Sequence, residues 1–307
     1  MKYDYEIAIV GAGAAGYAAA IYAGRSGARA AVFDRGVGGG LTTEAPKVEN
    51  YPGFKSIGGM ELMEKMKEHA AEYAEMRFGE EVTSLEVRED AIGITTTKGT
   101  YHVGAVILCT GTAHRKLGVK GEQEFAGKGV SYCATCDGFF FKGKKVAVVG
   151  GGSSAVIEAI FLRQIGIDVS VIHRRDELRA EKALEEEAKE NGVRFIWNSV
   201  VEEILGKEMV EKLKIKNVKT GEVSMLEVDG VFVSIGEEPQ NSLAKEIGVA
   251  LDENGYIKVD GMQKTNVERV FAAGDITGGV RQIITACAQG AKATLSSLPL
   301  VGKRSPY

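Results

Sequence analysis

The stretch with the clearest chemical potential is SYCATCDGFF, in which Cys133 and Cys136 enclose two small residues and Asp137 follows directly. Such a pair can bind a metal, form a structural cross-link or act as a reversible dithiol. A cross-link around so small a loop adds little stability, because the gain from loop closure rises with loop length. A Cys-x-x-Cys turn at a helix start suits a reversible dithiol, since the helix end stabilises one thiolate. Asp137 can either move a proton to or from that thiolate or cap the helix, and the sequence leaves both roles open.

The remaining cysteines argue against a metal site. Zinc usually takes four ligands, often from two cysteine or histidine pairs, and this chain offers one such pair. Cys109 stands in the apolar strand VILCT and Cys287 in the small-residue helix ITACAQGAKA, so we expect both to pack as small hydrophobic side chains. We therefore expect no metal and favour a redox role for the pair.

Composition and charge exclude several other classes of protein. The 307 residues can form two domains, and the 40 glycines indicate many tight turns where backbone approaches a ligand closely. A net charge of −4 argues against a nucleic-acid-binding protein. No apolar run reaches membrane-spanning length, and MKYDYEIAIVGAGAAG leads directly into a strand with no signal peptide, so we expect a cytoplasmic protein without membrane contact.

The elements around the amino terminus predict a dinucleotide-binding fold. The apolar strand YEIAIV precedes GAGAAG, a small-residue helix follows and ends at Gly27, and the next strand, ARAAVFD, ends at Asp34. Gly11 makes the tight turn, Gly13 lets backbone approach a pyrophosphate, and Gly16 lets the helix lie close to the sheet. The helix N-terminus favours phosphate charge, and Asp34 can accept hydrogen bonds from ribose hydroxyls.

The same pattern recurs in the middle of the chain. KKVAVVGGG and GGGSSA give a strand and a glycine turn, and the helix AVIEAIFLRQIG and the strand DVSVIHRR follow. His173 lies 23 residues after Gly150, the spacing that separates Asp34 from Gly11 in the first copy, and Arg174, Arg175 and Arg179 follow it. Arginines bind a 2′-phosphate that a carboxylate would repel, so the first site suits a free ribose and the second suits NADPH. The alternative is a solvated arginine pair that binds nothing.

The motifs together resemble the low-molecular-weight, prokaryotic-type thioredoxin reductases over nearly the full length. The matching segments are GAGAAG (11–16), GGGLTTEAPKVENYPGF (38–54), CTGT (109–112), SYCATCDG (131–138), GGGSSA (150–155), HRRDELRAEK (173–182), IGEEP (235–239), AAGDI (272–276) and RQ (281–282). The resemblance implies an α/β fold with two Rossmann-like dinucleotide-binding domains, the NADPH domain inserted into a discontinuous FAD domain. The FAD domain would comprise residues 1–114 and 243–307, and the NADPH domain, carrying the CATC pair, residues 115–242.

The resemblance also implies the cofactor contacts. Asp275 would lie at the phosphate and ribityl part of FAD, and Arg281, Gln282, Thr42 and Asn50 would reach the flavin. The remaining expected cofactor-binding residues are Ala14, Ala15, Gly40, Leu41, Val82, Thr110, Gly111, Ile283, Gly152, Ser153, Ser154 and Gly236.

The implied activity is that of an NADPH-dependent thioredoxin-disulfide reductase. Electrons would pass from NADPH to FAD, then to the Cys133–Cys136 disulfide, and then to the disulfide of thioredoxin or a glutaredoxin-like protein. Cys136 would be the sulfur nearest the flavin and Cys133 the one that attacks the partner. Relatives rotate the inserted domain between two arrangements, so we expect the same here. A homodimer is also expected, as two-fold dimers are frequent.

Two single residues and one pair depart from the pattern of the relatives. Gly40 stands where many carry Gln, Asp34 is shorter than the common Glu, and Ser153-Ser154 replace an Asp/Asn-Ser/Thr pair. The first two can alter FAD affinity or flavin potential, and the last bears on NADPH binding. Rival functions are a related flavoprotein with a peroxiredoxin system or ferredoxin as acceptor, an enzyme that takes NADH as donor, and a non-catalytic nucleotide-binding or redox-sensing protein.

Overall fold

The structure is a computed structural model that describes residues 2–45 and 47–304. The chain forms two compact units. The first contains the residues up to Thr43, Val48–Ala113 and the residues from Glu238 onward, and the second contains Glu44–Lys47 and His114–Glu237. The second unit is thus inserted into the first, which is assembled from separate parts of the chain.

The first unit is a mixed α/β fold. Its strands are β1 (Tyr5–Val10), β2 (Ala30–Asp34), β3 (Glu75–Phe78), β4 (Val82–Val87), β5 (Ile92–Thr96), β6 (Thr100–Leu108) and, far later in the chain, β17 (Val270–Ala272). Its helices are α1 (Ala14–Arg25), α2 (Gly59–Ala71), α6 (Ser242–Glu246) and α7 (Ile283–Ser297), with short 3₁₀ turns at Gly40–Glu44, Asp275–Thr277 and Leu298–Val301.

The sheet of this unit is built around β1. The strand order is β3-β2-β1-β6-β5-β4, and β17 also pairs with β6. The β1–β2, β1–β6 and β6–β17 pairs are parallel. The middle strands are almost wholly apolar, as expected for strands covered on both faces. Helices α1 and α7 approach closely because their contact residues are small, and the buried Thr294 hydroxyl donates to the carbonyl of Ala19 at 3.0 Å.

The second unit repeats this plan. Its strands are β8 (Val130–Ser131), β9 (Lys145–Gly150), β10 (Asp168–Ile172), β11 (Arg194–Ile196), β12 (Ser199–Gly206), β13 (Val210–Asn217), β14 (Val223–Glu227) and β15 (Gly230–Ser234). Its helices are α3 (Ala134–Asp137), α4 (Ser153–Gln164) and α5 (Lys182–Glu190), with a 3₁₀ turn at Gly138–Phe141. The parallel sheet has the order β11-β10-β9-β15-β8, and β12-β13-β14 form a separate antiparallel sheet.

The seven-stranded sheet of the first unit, whose β4–β5 and β5–β6 pairs are antiparallel, shares one topological feature with the parallel sheet of the second. In each, the strand before the glycine turn is flanked by the next strand on one side and by a much later strand on the other. Ligands of open α/β sheets bind at the carboxyl ends of the strands where the order reverses in this way. The chain crosses between the units within β7 (Thr112–His114) and β16 (Glu237–Pro239), which pair with each other.

The sequence-based elements are close to the observed ones. Helix α1 ends at Arg25, two residues before the predicted end at Gly27, whose φ of 71° lies in the left-handed region. Strand β10 ends at Ile172, so His173, Arg174 and Arg175 lie in the loop after the strand. No helix in the described ranges is long and apolar enough to cross a membrane.

Candidate active site

The two cysteines of the SYCATCDG motif form a disulfide at the start of a short helix. The Cα atoms of Cys133 and Cys136 lie 5.3 Å apart, and Cys133 is the N-cap residue of α3. Its sulfur accepts a hydrogen bond from the backbone N–H of Cys136 at 3.2 Å, and the hydroxyl of Thr135 lies 3.4 Å away. Donors around a sulfur stabilise its thiolate, which is the form that attacks a disulfide. Both cysteines are partly exposed.

The carboxyl group of Asp137 is held beside the disulfide. The Ser131 hydroxyl donates to its Oδ2 at 2.6 Å, and the N–H of Cys133 donates to the Ser131 oxygen at 3.1 Å. Burial raises the pKa of Asp137 above its ordinary value, and the hydrogen bond from Ser131 partly opposes that rise. A raised pKa suits a carboxyl group that holds and transfers a proton near neutral pH.

The capping alternative for Asp137 is wrong. Its side chain makes no capping hydrogen bond, and the N-cap position of α3 belongs to Cys133. The Oδ1 atom of Asp137 is buried without a partner among the described residues. An unsatisfied buried oxygen next to a redox pair is a feature that a proton-transfer role would explain.

The other two cysteines are placed as the sequence predicts. Cys109 directly follows β6 and is 7% exposed, and burial raises the pKa of its thiol to about 12. Cys287 lies in α7, where burial also raises the thiol pKa. No group of three or more potential metal ligands occurs within residues 2–45 and 47–304.

The first glycine loop lies at the carboxyl end of β1. A Cβ atom on Gly11 or Gly16 would overlap backbone atoms of Cys109 or of the loop itself, whereas one on Gly13 would have nothing within 4 Å. Gly13 is also the N-cap residue of α1 and leaves the first amides of the helix without a side-chain acceptor. The loop therefore presents open backbone donors where the sequence predicts a pyrophosphate.

Asp34 holds this loop in place. Its two carboxylate oxygens accept from the N–H groups of Ala12 at 2.9 Å and of Gly36 at 2.7 Å. Each oxygen has a further lone pair, which can accept a hydrogen bond from a ribose hydroxyl. The structure thus gives Asp34 a loop-fixing role that the sequence did not reveal.

The structure brings many of the predicted first-unit residues together. A Cβ atom on Gly11 would meet the carbonyl of Cys109, next to Thr110 and Gly111, and one on Gly274 would lie 3.0 Å from Ala15. Asp275 follows Gly274 directly, so the loops after β1, β6 and β17 meet at one edge of the sheet. The turn that contains Gly40, Leu41 and Thr42 joins them, since the N–H of Gly39 donates to the carbonyl of Ala12 at 2.7 Å.

The residues predicted to reach the flavin make contacts of their own. The amide of Asn50 donates to Oε1 of Gln282 at 2.9 Å. Gln282 also forms a capping box with Thr285 at the start of α7, directly before Ile283. Arg281 donates to the hydroxyl of Tyr256 at 3.0 Å. Val82 begins β4, two residues after Glu80, whose N–H donates to the carbonyl of Asp34 at 3.0 Å.

Gly40 has a backbone conformation that favours glycine. Its φ is 60°, in the left-handed region that side chains rarely adopt. Glycine at this position therefore allows a backbone conformation that a residue with a side chain would resist.

The second glycine loop has the same shape. A Cβ atom on Gly150 would meet the carbonyl of Ser234 at the end of β15, whereas one on Gly152 would have nothing within 4 Å. Gly152 is the N-cap residue of α4 without a side-chain acceptor, and the exposed Ser153 and Ser154 open the helix. Gly236 lies two residues beyond β15 with a φ of 105°.

The basic cluster lies beside this loop. The ring of His173 occupies the space next to Gly151, and the N–H of Arg179 donates to the carbonyl of Gly151 at 2.8 Å. His173 is 7% exposed, and its burial lowers the pKa of the imidazole. Arg174, Arg175 and Arg179 are exposed, so positive charge gathers where the predicted 2′-phosphate would bind.

Comparisons with known proteins agree with this arrangement. Residues 5–290 match the model of the pyridine nucleotide-disulphide oxidoreductases. The chain belongs to the pyridine nucleotide-disulphide oxidoreductase family. It is 42% identical to a thioredoxin reductase of Streptomyces coelicolor over 98% of its own length and 95% of that protein. It is 44% identical to a thioredoxin reductase of Treponema pallidum, with 95% of this chain and 96% of that protein covered.

Solved structures of pyridine nucleotide-disulphide oxidoreductases are similar as well. The crystal structure of a thioredoxin reductase from Streptococcus pyogenes gives a TM-score of 0.92 at 40% identity, covering 97% of this chain and 98% of that one. The thioredoxin reductase of T. acidophilum gives 0.66 at 48% identity with the same coverage. The predicted α/β fold with two Rossmann-like domains is confirmed by these similarities.

The cofactors of this pyridine nucleotide-disulphide oxidoreductase are FAD and NADPH. The two glycine loops fit them, because each leaves one glycine open at the helix N-terminus, Gly13 or Gly152, while Gly11, Gly16 and Gly150 lie against backbone and Gly151 lies against the His173 ring. An acid, Asp34, ends β2, and a basic cluster follows β10, which suits a free ribose and a phosphorylated one, respectively. The individual cofactor-binding residues stay predictions.

Sequence reasoning missed two polar groups at these sites. Ser131 belongs to the SYCATCDG motif, and its position two residues before Cys133 is the signal in the sequence that points to it. Tyr17 lies in α1, and its hydroxyl, beside Gly38, is buried and has no hydrogen-bond partner among the residues that the structure describes. Its ring packs in the apolar core, so it looked like an ordinary core residue of the helix.

Proposed function

We propose that this chain is a thioredoxin reductase: an NADPH-dependent flavoprotein that reduces the disulfide of thioredoxin through Cys133 and Cys136. The observation that carries the proposal is the disulfide between these residues, with the carboxyl group of Asp137 next to it, in the unit that carries the basic nucleotide loop. The high identity to thioredoxin reductases over nearly the whole chain supports the same activity.

Three side chains of this protein would carry out the exchange with the partner disulfide. Cys133, whose sulfur has two donors beside it, is the thiolate that attacks the partner disulfide and forms a mixed disulfide. Cys136 then attacks Cys133, which releases the reduced partner and restores the internal disulfide. Asp137 donates a proton to the departing thiolate and takes one back when the pair is reduced again.

The cofactors are held by separate parts of the chain. In the first unit, Gly13, Asp34, Asp275 and the residues around Asn50 and Gln282 would hold FAD. In the second, Gly152, Ser153 and the basic cluster from His173 to Arg179 would hold NADPH. When bound, NADPH and FAD supply the two electrons that open the Cys133–Cys136 disulfide. The first unit would then be the FAD domain and the second the NADPH domain.

The partner and the setting belong to the same proposal. A similar protein of Mycobacterium leprae is named a bifunctional thioredoxin reductase/thioredoxin, which supports thioredoxin over ferredoxin or a peroxiredoxin system as the acceptor. A cysteine pair is also what a disulfide exchange needs and what transfer to ferredoxin does not. We propose a homodimer in the cytoplasm, as the resemblance to the family implies.

The test of this function is a count of thiols. NADPH is added anaerobically to the FAD-loaded protein, which is then alkylated under denaturing conditions and analysed by mass. Cys109 and Cys287 react in every sample and serve as the internal standard. The proposal requires two further alkyl groups on Cys133 and Cys136 after NADPH addition, and their return to a disulfide when oxidised thioredoxin follows. A pair that stays oxidised while the flavin bleaches would show another acceptor.

The donor is tested by changing the arginines. Arg174→Ala and Arg175→Ala should raise KM for NADPH about ten- to a hundredfold, because a charged hydrogen bond is worth about 1.5–3 kcal/mol. KM for NADH should change far less. Arg88→Ala, at an exposed arginine of the first unit, is the matched control and should leave both unchanged. Equal effects of the arginine changes on both nucleotides would contradict the 2′-phosphate assignment.

A further inference from the structure

An aromatic residue follows the strand next to the basic cluster. Strands β10 and β11 are parallel with Ile172 opposite Ile196, so His173 and Trp197 are the first residues beyond the two strands. Their rings lie 6.4 Å apart at 78°. On its other side the His173 ring adjoins Gly151. The glycine loop, His173 and Trp197 thus follow one another across the carboxyl ends of β9, β10 and β11.

The Trp197 ring is held by its surroundings. It stacks on Phe195 with centroids 5.0 Å apart and an angle of 10° between the planes. Its backbone carbonyl accepts from the hydroxyl of Ser199 at 2.9 Å. The next residue, Asn198, has a φ of 51° and donates its N–H to the carbonyl of Arg175 at 3.0 Å. The turn is therefore tied to the arginine loop, and it presents a rigid, half-buried indole.

Two buried polar side-chain atoms of the residues next to Trp197 lack a hydrogen-bond partner in the described ranges. Nε2 of His173 and Oδ1 of Asn198 are both buried and make no hydrogen bond within the described part of the chain. The His173 side chain is almost fully buried, with 7% exposed. A buried polar atom without a partner is costly to a protein, and a bound ligand that supplies the missing partner removes that cost.

We infer that the Trp197–Asn198 turn is the third wall of the 2′-phosphoadenosine site, with the indole of Trp197 against the adenine ring. The inference rests on the proposed use of NADPH and adds residues that bind its adenosine half. Aromatic side chains stack on any base through its π face, and the arginines beside the turn bind phosphate. The Asn198 oxygen accepts from a hydroxyl or amino group of the nucleotide.

The experiment uses Trp197 as its own reporter, since the chain contains a single tryptophan. The oxidised, FAD-loaded protein is titrated with adenosine 2′,5′-bisphosphate and with 5′-AMP, which carry adenine but cannot reduce the flavin. Both should change the tryptophan emission in a saturable way. Calorimetry with Trp197→Ala should show affinity for both ligands reduced about 5- to 150-fold. Trp197→Phe, which keeps an aromatic ring, should stay within about threefold of the wild type.

The outcomes separate this inference from the proposed function. Arg174→Ala should weaken only the bisphosphate, which tests the NADPH site itself. Unchanged emission, or equal affinity in the wild type and Trp197→Ala, would overturn the role of Trp197 and leave the arginine result standing. A Trp197→Phe protein as weak as Trp197→Ala would also overturn it. Failure of the wild type to bind either ligand would overturn both proposals.

Discussion

The hydroxyl of Ser131 offers the sharpest test of the redox site. It donates to Asp137 at 2.6 Å and is 5% exposed, so water cannot easily replace it. Ser131→Ala removes this donor and also the acceptor of the Cys133 N–H, but keeps the side chains of both cysteines and of Asp137. Because the lost bond favours the ionised carboxyl, the pKa of Asp137, already raised by burial, should rise further.

The size of the change follows from the difference between two hydrogen bonds. A hydroxyl that donates to a charged group contributes about 1.5–3 kcal/mol, and one bonded to a neutral group about 0.5–1.5 kcal/mol. The difference of about 1–1.5 kcal/mol corresponds to a rise of about one pH unit in the pKa of Asp137. Ser131→Thr keeps the hydroxyl and should leave the pKa near that of the wild type.

The assay follows the protonated carboxyl directly. Difference infrared spectra recorded across pH contain the C=O band of the acid, and the band that disappears in Asp137→Asn belongs to this residue. Its midpoint should move upward in Ser131→Ala, and the alkaline limb of kcat/KM for thioredoxin should move with it. A midpoint that stays fixed or falls would refute the argument that Ser131 tunes the carboxyl group.

Three further predictions follow from the glycine loops, a buried thiol and a buried acid. Gly13→Ala and Gly152→Ala should fold normally but bind FAD and NADPH, respectively, more weakly. Gly16→Ala and Gly150→Ala should lower Tm, because, of the four new Cβ atoms, only those at positions 16 and 150 would meet backbone. Burial raises the pKa of the Cys109 thiol to about 12, so Cys109 should resist alkylation in the native protein. In a time course followed by mass spectrometry, the reduced Cys133–Cys136 pair should be labelled before Cys109. Burial opposes ionisation of Glu80, but hydrogen bonds from Thr96 and Tyr101 prevail and lower its pKa below 4.5. Glu80 therefore adds stability above that pH and loses it as pH falls through the lowered pKa, so the Tm gap between the wild type and Glu80→Gln should narrow in acid.

The local patterns of the chain were readable because each depends on neighbouring residues. A strand, a glycine turn and a helix lie within one short segment, so the loops that begin at Gly11 and Gly150 could be predicted from the amino-acid sequence alone. The position of Cys133 at the start of a helix was readable for the same reason. Asp34 was recognised by its spacing, although its bonds to Ala12 and Gly36 were not.

Contacts between distant segments could not be predicted in this way. Asn50 and Gln282 are 232 positions apart, and their hydrogen bond exists because the folded unit brings two loops together. Trp197 lies next to His173 only because β11 is the neighbour of β10, which no single-sequence pattern specifies. The role of Ser131 depends on a side-chain rotation that brings its hydroxyl to Asp137, so the motif contained the residue but not its partner.

The insertion of one unit into the other has a consequence for synthesis on the ribosome. The inserted segment, His114–Glu237, emerges as an unbroken piece and can complete its own parallel sheet while translation continues. The first unit must wait, because β17 pairs with β6 and α7 packs on α1 only after residues 270–297 have emerged. Until then, the part of the first unit that has already been synthesised would expose the apolar edge of β6 and the small-residue face of α1. During synthesis the second unit would therefore be folded while the first is still incomplete, and a chaperone would bind mainly to the exposed apolar surface of the first unit.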